Sequence, residues 1–255
     1  MKVNVMTFNI RYENPNDGKN SFDNRKNLIK AFLDREMPDV IGFQEMVDSQ
    51  RKWFDENITD YILVGSGRNS DFSGEGVSIA YNKSKFSLIK FDQFWLSPTP
   101  YIPGSRYSVD QSGCPRTTVI ATLASKEDGS VFCFANTHLD HVGKSAKLCG
   151  TNLIMSKLTS ENKYPFVLTG DFNSRPSDDP IKEIKNIKGI YELTKGIKNN
   201  AATFHGFGKV TKKHKIDYIF SNIKAVKDTL KIHTDNENGI WISDHYPISV
   251  TIDVK

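Results

Sequence analysis

No part of this sequence is apolar for long enough to cross a membrane, since a spanning helix needs about 18 or more consecutive apolar residues. The opening segment, MKVNVMTFNIRY, follows the pattern of a strand. It lacks the apolar stretch and the small-residue cleavage site of a secretion signal. These two absences predict a cytoplasmic protein without a membrane partner.

Cysteine is scarce in this chain. Cys114, Cys133 and Cys149 have neither the spacing of a disulfide framework nor that of a metal site. Cys133 lies in the apolar run VFCFA and is expected to pack as a small hydrophobic residue. The 255 residues are 38% hydrophobic, which is enough for a sizeable core without disulfides. Because there is no linker, repeat or low-complexity stretch, we expect one domain over residues 1–255.

The sequence also lacks a strong excess of one charge. Its 34 basic and 30 acidic residues give a net charge of +4. One short basic run, Lys209, Lys212, Lys213 and Lys215, is interpreted as solvated surface. Proteins that bind duplexes usually concentrate Lys and Arg on one face, so the composition argues weakly against a long nucleic-acid substrate. No protein partner is indicated.

The sequence is rich in short runs of Val, Ile, Phe and Tyr, which predict strands. These runs lie at about 3–9, 39–44, 61–64, 77–82, 86–96, 117–124, 130–137, 166–170, 216–221, 225–234 and 247–253. Three helices are predicted: one from about Phe22 to Glu36 with Ser21 as its cap, one from about Ser145 to Ser160, and one that starts near Pro180. Strands in both hairpin and helix-linked patterns imply mixed sheets with helices outside.

Several of the apolar runs stop at polar residues that are suited to chemistry. The most informative is LTGDFNS, in which Asp171 and Asn173 follow a strand and should project to the same side. That pair suits a water or a phosphate oxygen held near a metal ion. The same design recurs in MTFNIRY around Asn9, VIGFQEM around Glu45, CFANTHLDH around His138, KIDYIFS around Asp217 and ISDHYPI around Asp244 and His245.

Taken in this order, the segments resemble the endonuclease/exonuclease/phosphatase superfamily. Its members include deoxyribonuclease I, abasic-site endonucleases, inositol polyphosphate phosphatases, bacterial sphingomyelinases and deadenylases. The resemblance runs from Val3 to about Ile252. It implies a four-layer α/β sandwich, in which two packed mixed β-sheets are flanked by helices. The active site is then expected at one end, where strand ends from both sheets meet.

The resemblance also implies roles for the matching residues. Glu45 is the expected metal ligand, Asp244 is a second carboxylate near the metal, and Asn9 lies beside Glu45 and helps to fix the metal site. Asp171 orients or deprotonates the attacking water, and Asn173 holds the phosphate or the nucleophile. Two carboxylates without a local Cys or His cage favour Mg²⁺, with Mn²⁺ as the alternative.

Two histidines are expected to face the phosphate as cations, each held by a carboxylate. His245 is matched with Asp217, and His138 with Glu75 of the segment SGEGVSIAY. A carboxylate bound to one ring nitrogen fixes the tautomer and favours the imidazolium. Asp140, which shares a face with His138, is expected either to contact substrate or to serve in a turn or cap. The expected reaction is in-line attack on phosphorus by a water that the metal activates.

Substrate choice is expected to depend on three segments outside the shared core. Arg11, in the loop NIRYENPNDGKNS, faces the phosphate or forms a structural ion pair. The long loop of residues 94–116 offers Trp95 and Arg116 to a sugar or base and its phosphate. His205, in ATFHGFGK, is placed to reach the leaving group.

These segments resemble a bacterial subgroup with the pattern FNIRY, FWLSxTP, NTHLDH, TGDFN, TFHGF and SDHYP, some of whose members look like sugar-phosphate phosphatases. We therefore predict a Mg²⁺-dependent phosphoesterase that acts on a small phosphorylated metabolite such as a sugar phosphate. The alternative is an endonuclease or exonuclease that cleaves phosphodiesters in DNA or RNA. A binding protein on an inactive enzyme fold is disfavoured, because every expected position is filled.

Overall fold

A computed structural model of the chain describes residues 1–197, 203–211 and 214–254, so Lys212 and Lys213 of the basic run lie outside the described residues. The strands, in chain order, are β1 Lys2–Asn9, β2 Val40–Met46, β3 Tyr61–Val64, β4 Gly76–Asn82, β5 Phe86–Trp95, β6 Thr117–Ser125, β7 Val131–His138, β8 Phe166–Asp171, β9 Tyr191–Glu192, β10 Asp217–Ser221, β11 Lys231–Ile232, β12 Asn236–Glu237, β13 Ile240–Trp241 and β14 Ile248–Asp253. The α-helices are α1 Phe22–Glu36, α2 Asp48–Asn57, α3 Lys144–Ser156 and α4 Asp179–Asn186. A 3₁₀-helix spans Pro15–Asn20, and a π-helical turn spans Lys157–Glu161.

Two six-stranded sheets form the centre of the fold. Their strand orders are β11-β14-β1-β2-β4-β3 and β5-β6-β7-β8-β10-β9. Both sheets are mixed: β1 pairs parallel with β2 and β7 pairs parallel with β8, while the other pairs are antiparallel. None of the helices in the described part of the chain is long and apolar enough to span a membrane.

Three clusters of buried side chains account for the layers. The central cluster joins the inner faces of the two sheets and includes Val5, Val119 and Phe134. A second cluster packs α3 and α4 on the second sheet, and a third packs α1 and α2 on the first sheet. Strands and helices of this kind bury one face each, and stacking four layers satisfies all of them. The predicted four-layer α/β sandwich is confirmed.

Most predicted elements are present, and the differences have local causes. Helix α2 was not predicted, because its sequence DSQRKWFDEN is largely polar and buries chiefly Phe54 among its apolar residues. The predicted strand at 225–234 is reduced to Lys231–Ile232 and an isolated bridge at Ala225. Lys215 of the basic run is buried rather than solvated, because its ammonium contacts Glu192 and donates to the carbonyl of Thr194 at 2.8 Å.

A buried polar belt of Gln44, Asn136 and Thr169 joins the two sheets beneath the functional residues. The amide Nε2 of Gln44 donates to Oδ1 of Asn136 at 2.6 Å, and Oγ1 of Thr169 contacts the same oxygen at 3.1 Å. Gly42 makes this close approach possible, since a Cβ there would lie 2.3 Å from Oγ1 of Thr169. The belt therefore fixes the spacing of the sheets directly below the strand ends.

Candidate active site

The strand ends of both sheets meet at one rim, and Asp171 lies at its centre. In the second sheet, Asp171 is the register partner of His138 on one side and of Asp217 on the other. Asn9, the last residue of β1, reaches it from the first sheet. The sequence therefore gathers four chemically capable side chains by ending three strands and beginning a fourth at the same level.

A cleft of about 540 Å³ opens above this rim. It is lined by Arg11, Tyr12, Glu45, Arg68, Glu75, Cys114, Arg116, His138, His141, Asp171, Asn173, Phe204, Ile216, Asp244 and His245. Clefts that bind small molecules commonly have volumes of roughly 300–1,000 Å³. Nine residues were predicted for catalysis or metal binding. Seven of them line the cleft, and the other two, Asn9 and Asp217, are buried partners of lining residues. Glu75 lines the cleft but has a different partner from the predicted one.

The carboxylate of Asp171 is surrounded by potential partners. Its Oδ2 accepts from Nδ2 of Asn9 at 3.1 Å and lies 3.6 Å from Nε2 of His138 and 3.7 Å from Nε2 of His245. Its Oδ1 accepts from the backbone N–H of Asn173 at 2.9 Å. Burial and the nearby carboxylate of Asp217 raise the pKa of Asp171 to about 7.

Asn173 reaches the cleft by a turn rather than by strand alternation, because β8 ends at Asp171. Its φ of 44° lies in the left-handed region, which Asn tolerates better than most residues. Its Nδ2 donates to the carbonyl of Leu139 and to Nε2 of His138, both at 3.0 Å.

Glu45 is aimed into the cleft by a β-bulge. Strand β2 continues to Met46, but its register with β4 shifts between Phe43 and Met46, and Glu45 has a φ of 66°. Bulges and left-handed non-glycine residues are concentrated near functional sites, where they re-aim a side chain. The two carboxylate oxygens of Glu45 accept from Nδ2 of Asn9 and from the backbone N–H of Tyr12, each at 3.1 Å.

His245 and Asp217 form the predicted carboxylate–histidine pair. Nδ1 of His245 lies 2.9 Å from Oδ2 of Asp217, and both side chains are buried. Burial alone lowers the pKa of His245, but Asp217, Asp171 and Asp244 together raise it to about 10. The raised pKa favours the imidazolium form of His245 at neutral pH in the metal-free protein.

His138 differs from its prediction in both partner and charge. Burial and the cations of Arg116 and Arg68 lower the pKa of His138 well below its usual value. Its Nε2 accepts from Asn173, which requires a ring that is unprotonated there, so the 3.6 Å approach to Asp171 is not an ion pair. The prediction of a His138–Glu75 pair is wrong, because the carboxylate of Glu75 pairs with Arg68 at 2.9 Å.

Three of the predicted substrate contacts are instead structural. Trp95 is buried and donates from Nε1 to the carbonyl of Arg68 at 2.6 Å. Asp140 takes the turn role: it accepts from the backbone N–H groups of Ser112, Val142 and Gly143 at 2.7–3.2 Å. His205 is stacked on Tyr246 with the ring centroids 4.0 Å apart and does not line the cleft.

Arg11 and Arg116 do line the cleft. The guanidinium of Arg11 forms two 3.0 Å bonds to Asp17 and lies 3.8 Å from Asp244, so it is both a structural ion pair and a cation at the site. Arg116 is buried and donates from Nη2 to Nδ1 of His141 at 2.9 Å.

The sequence interpretation assigned no role to two basic residues of the cleft, Arg68 and His141, or to the supporting residue Arg25. Arg68 lies in the run GSGRNSDFSGEG, whose glycines and serines indicate a turn but give no sign of a cleft residue. His141 was visible in NTHLDH without an assigned role. Arg25 is buried in α1 and donates to the carbonyls of Ile10, Asn20 and Ile242 at 2.7–2.8 Å, which anchors the segments beside Asn9 and Asp244.

The donor set at the rim fits a divalent cation. Ligand atoms of Glu45, His138 and Asp171 lie within 4.8 Å of one another. Besides burial, Glu45 raises the pKa values of Asp171 and Asp244, which means that these carboxylates repel one another in the absence of a cation. Asn9 supports this group, since its Nδ2 donates to the carboxylates of Glu45 and Asp171 and its Oδ1 accepts from the backbone N–H of Arg11 at 3.0 Å.

Comparison with known proteins agrees with this geometry. The sequence profile of the endonuclease/exonuclease/phosphatase family matches residues 6–125 and 156–245. A protein of Acanthamoeba polyphaga mimivirus is 28% identical over 254 residues, which cover 90% of this chain and 91% of that protein. An endonuclease/exonuclease/phosphatase protein of Bacteroides vulgatus is 27% identical, with a TM-score of 0.87 and all of both chains covered. The mannosyl-6-phosphatase of Bacteroides thetaiotaomicron is 25% identical, with a TM-score of 0.84 over 98% of this chain and 99% of that one.

The matched ranges contain the rim residues Asn9, Glu45, Asp171, Asp217 and His245, while His138 lies in the unmatched stretch 126–155. The profile therefore covers most of the chain and its chemical centre together. The chain belongs to the endonuclease/exonuclease/phosphatase family and is a hydrolase of phosphoric ester bonds.

Proposed function

We propose that this protein is a Mg²⁺-dependent phosphoesterase that hydrolyses the phosphate ester of a small phosphorylated metabolite, with a sugar phosphate as the favoured substrate. The observation that carries the proposal is the position of the Glu45–His138–Asp171 cluster in a single cleft of about 540 Å³. A cleft of this size matches a small molecule. The likeness to a mannosyl-6-phosphatase over almost the whole chain supports the same substrate class.

Glu45 and Asp244 are the proposed metal ligands, and Asp171 and His138 complete the polar wall around them. Carboxylate oxygens suit Mg²⁺, while a neutral imidazole nearby also suits Mn²⁺. The cation, when bound, neutralises charge on the phosphoryl group and polarises one of its oxygens. This assignment uses the repulsion between Glu45 and Asp244, which a cation relieves.

Asp171 is the proposed base for the attacking water. A base works best when its pKa lies near the working pH, and in the metal-free protein burial and Asp217 raise the pKa of Asp171 to about 7. Asn9 and the backbone of Asn173 hold one oxygen each of this carboxylate, so its orientation is fixed before substrate binds. The water proton passes to Asp171 as the water oxygen bonds to phosphorus, the phosphorus–oxygen bond to the leaving group breaks on the opposite side, and the released alkoxide takes a proton from solvent.

His245 and Asn173 are the proposed donors to the phosphoryl oxygens. The imidazolium of His245 supplies a fixed positive charge, because Asp217 holds its Nδ1 and leaves Nε2 directed towards Asp171. Preorganised donors of this kind stabilise the charge that develops in the transition state. Nε2 of His138 accepts from Nδ2 of Asn173 and thereby orients the amide of Asn173. The proposed role of His138 is therefore to position Asn173 and not to supply a positive charge.

Cleavage of phosphodiesters in DNA or RNA is the rival function. It is favoured by three arginines in the cleft, Arg11, Arg68 and Arg116. All three already lie beside acidic groups, Arg11 with Asp17, Arg68 with Glu75 and Arg116 with Asp140, which weakens their attraction for a polyanion. A nuclease of this kind would show affinity that falls steeply with salt.

The deciding experiment is an assay of sugar monophosphates, nucleotides, single-stranded DNA and RNA at fixed Mg²⁺ concentration. We expect release of inorganic phosphate from one or more sugar monophosphates. Turnover of nucleic acid alone would refute the proposal. The Glu45→Gln variant, purified in parallel, is the control, because a loss of phosphate release in it shows that the activity belongs to this protein.

A further inference from the structure

A rigid hairpin, residues 65–76, carries two charged side chains into the cleft. The backbone N–H of Arg68 donates to the carbonyl of Glu75 at 2.8 Å, and Nη1 of Arg68 lies 2.9 Å from Oε2 of Glu75. The turn between them is closed by a bond from the N–H of Gly67 to the carbonyl of Phe72 at 2.9 Å. Gly67 is required here, because a Cβ would lie 2.0 Å from the carbonyl oxygen of Ser73.

Both sheets hold this hairpin in place. From the second sheet, Trp95 donates from Nε1 to the carbonyl of Arg68 at 2.6 Å, and its ring packs against Phe72 with the centroids 5.6 Å apart. From α2, which packs on the first sheet, Arg51 donates to the carbonyl of Gly74 at 2.7 Å, and Asp48 accepts from the N–H of Gly74 at 3.1 Å. The hairpin is therefore fixed from two directions.

The Arg68–Glu75 ion pair carries a desolvation cost that a purely structural wall of the cleft would not require. The two side chains are only 14% and 22% exposed, and partly buried ion pairs commonly contribute little net stability. Apolar residues would close the same space at lower desolvation cost. The pair instead offers, on one surface of the cleft, N–H donors beside a carboxylate acceptor.

We propose that the Arg68–Glu75 pair is the specificity determinant that binds the hydroxyl groups of the leaving alcohol, and that this alcohol is a polyol such as a sugar. A sugar carries neighbouring hydroxyls, each of which donates and accepts, so it satisfies the guanidinium and the carboxylate together. The pair has no net charge, so it favours neutral hydroxyl groups over a second phosphate. This inference rests on the proposed phosphoesterase function and identifies the residues that bind the leaving alcohol.

The test compares two phosphomonoesters that share the reacting group and differ in the leaving group. The readout is the ratio of kcat/KM for a hexose monophosphate to kcat/KM for phenyl phosphate, which has no hydroxyls. We expect Arg68→Met to lower this ratio at least tenfold, mainly through a rise in KM for the hexose monophosphate. Glu75→Gln, which is nearly isosteric, should lower it in the same direction and guards against a folding defect in the first variant.

Matched controls are Arg35→Met and Asp34→Asn on the exposed surface of α1, where both side chains are more than half exposed. These variants should keep the wild-type ratio. A ratio in Arg68→Met and Glu75→Gln within threefold of wild type would overturn the inference while leaving the phosphoesterase function intact. A larger loss for a hexose bisphosphate than for the monophosphate would also overturn it, by identifying a second phosphate as the bound group. A wild-type protein that hydrolyses no phosphomonoester would overturn the proposed function itself.

Discussion

Nδ2 of Asn9 lies 3.1 Å from Oε1 of Glu45 and 3.1 Å from Oδ2 of Asp171, so one amide links carboxylates that belong to different sheets. Neither carboxylate can move relative to the other without loss of one of these bonds. The amide of Asn9 therefore couples the position of Glu45, the proposed metal ligand, to that of Asp171, the proposed base.

Asn9→Ala should therefore lower kcat without unfolding the protein. Loss of a hydrogen bond to a charged group costs about 1.5–3 kcal/mol, which corresponds to roughly 10- to 150-fold in rate. Steady-state kinetics and thermal melting measure the two effects separately. Asn4→Ala, near the other end of β1, is the matched control. Equal activities in the two variants would contradict the linking role of Asn9.

Asp171→Asn should remove turnover and spare stability. A positioned base contributes roughly 10²- to 10⁴-fold to a rate, and Asn cannot take the water proton. Because the folded state raises the pKa of Asp171 to about 7, ionisation of this buried group above that pH costs folding energy. We therefore expect the Tm of the metal-free variant at pH 8 to equal or exceed that of the wild type.

The control for this variant is Asp228→Asn, since Asp228 is 85% exposed and does not line the cleft. It should change neither the rate nor the Tm. Full activity in Asp171→Asn would remove Asp171 from the mechanism.

Mg²⁺ should stabilise the fold as well as support activity. At a concentration of about 100 times its Kd, a ligand that binds only the folded state adds about 2.7 kcal/mol, or roughly 5 to 10 °C in Tm for a chain of this size. Differential scanning fluorimetry with and without Mg²⁺ measures this shift. Glu45→Gln should lose most of it, and Ca²⁺ or Mn²⁺ can be compared in the same assay. An identical shift in the variant would place the cation elsewhere.

The charge of His245 should depend on Asp217. In the metal-free protein the pKa of His245 is about 10, which lies above the usual value near 6.5. The resulting stabilisation is complete below pH 6.5 and is lost as pH rises through 10. In Asp217→Asn the largest opposing charge is gone, burial dominates, and the pKa of His245 should fall. NMR titration of the imidazole signals measures both values, and an unchanged pKa would disprove the pairing.

Strand ends were predictable, and the loops that pack on them were not. Asp217 and His245 could be paired through the family resemblance, because each lies beside a regular strand that the shared fold brings to the same rim. Glu75 could not be assigned its partner, since the Arg68–Glu75 contact depends on the conformation of the hairpin 65–76. Trp95 carried an ambiguous signal, because an aromatic residue beside a Pro-rich loop can face a ligand or support the backbone. Only the structure shows that it supports Arg68.

The belt of Gln44, Asn136 and Thr169 has a consequence for how the protein fails on heating. It lies one or two residues from Glu45, His138 and Asp171, so any parting of the two sheets pulls the reactive groups away from one another. We therefore expect no catalytically active state in which the two sheets have separated. Inactivation and melting should consequently follow one and the same thermal curve.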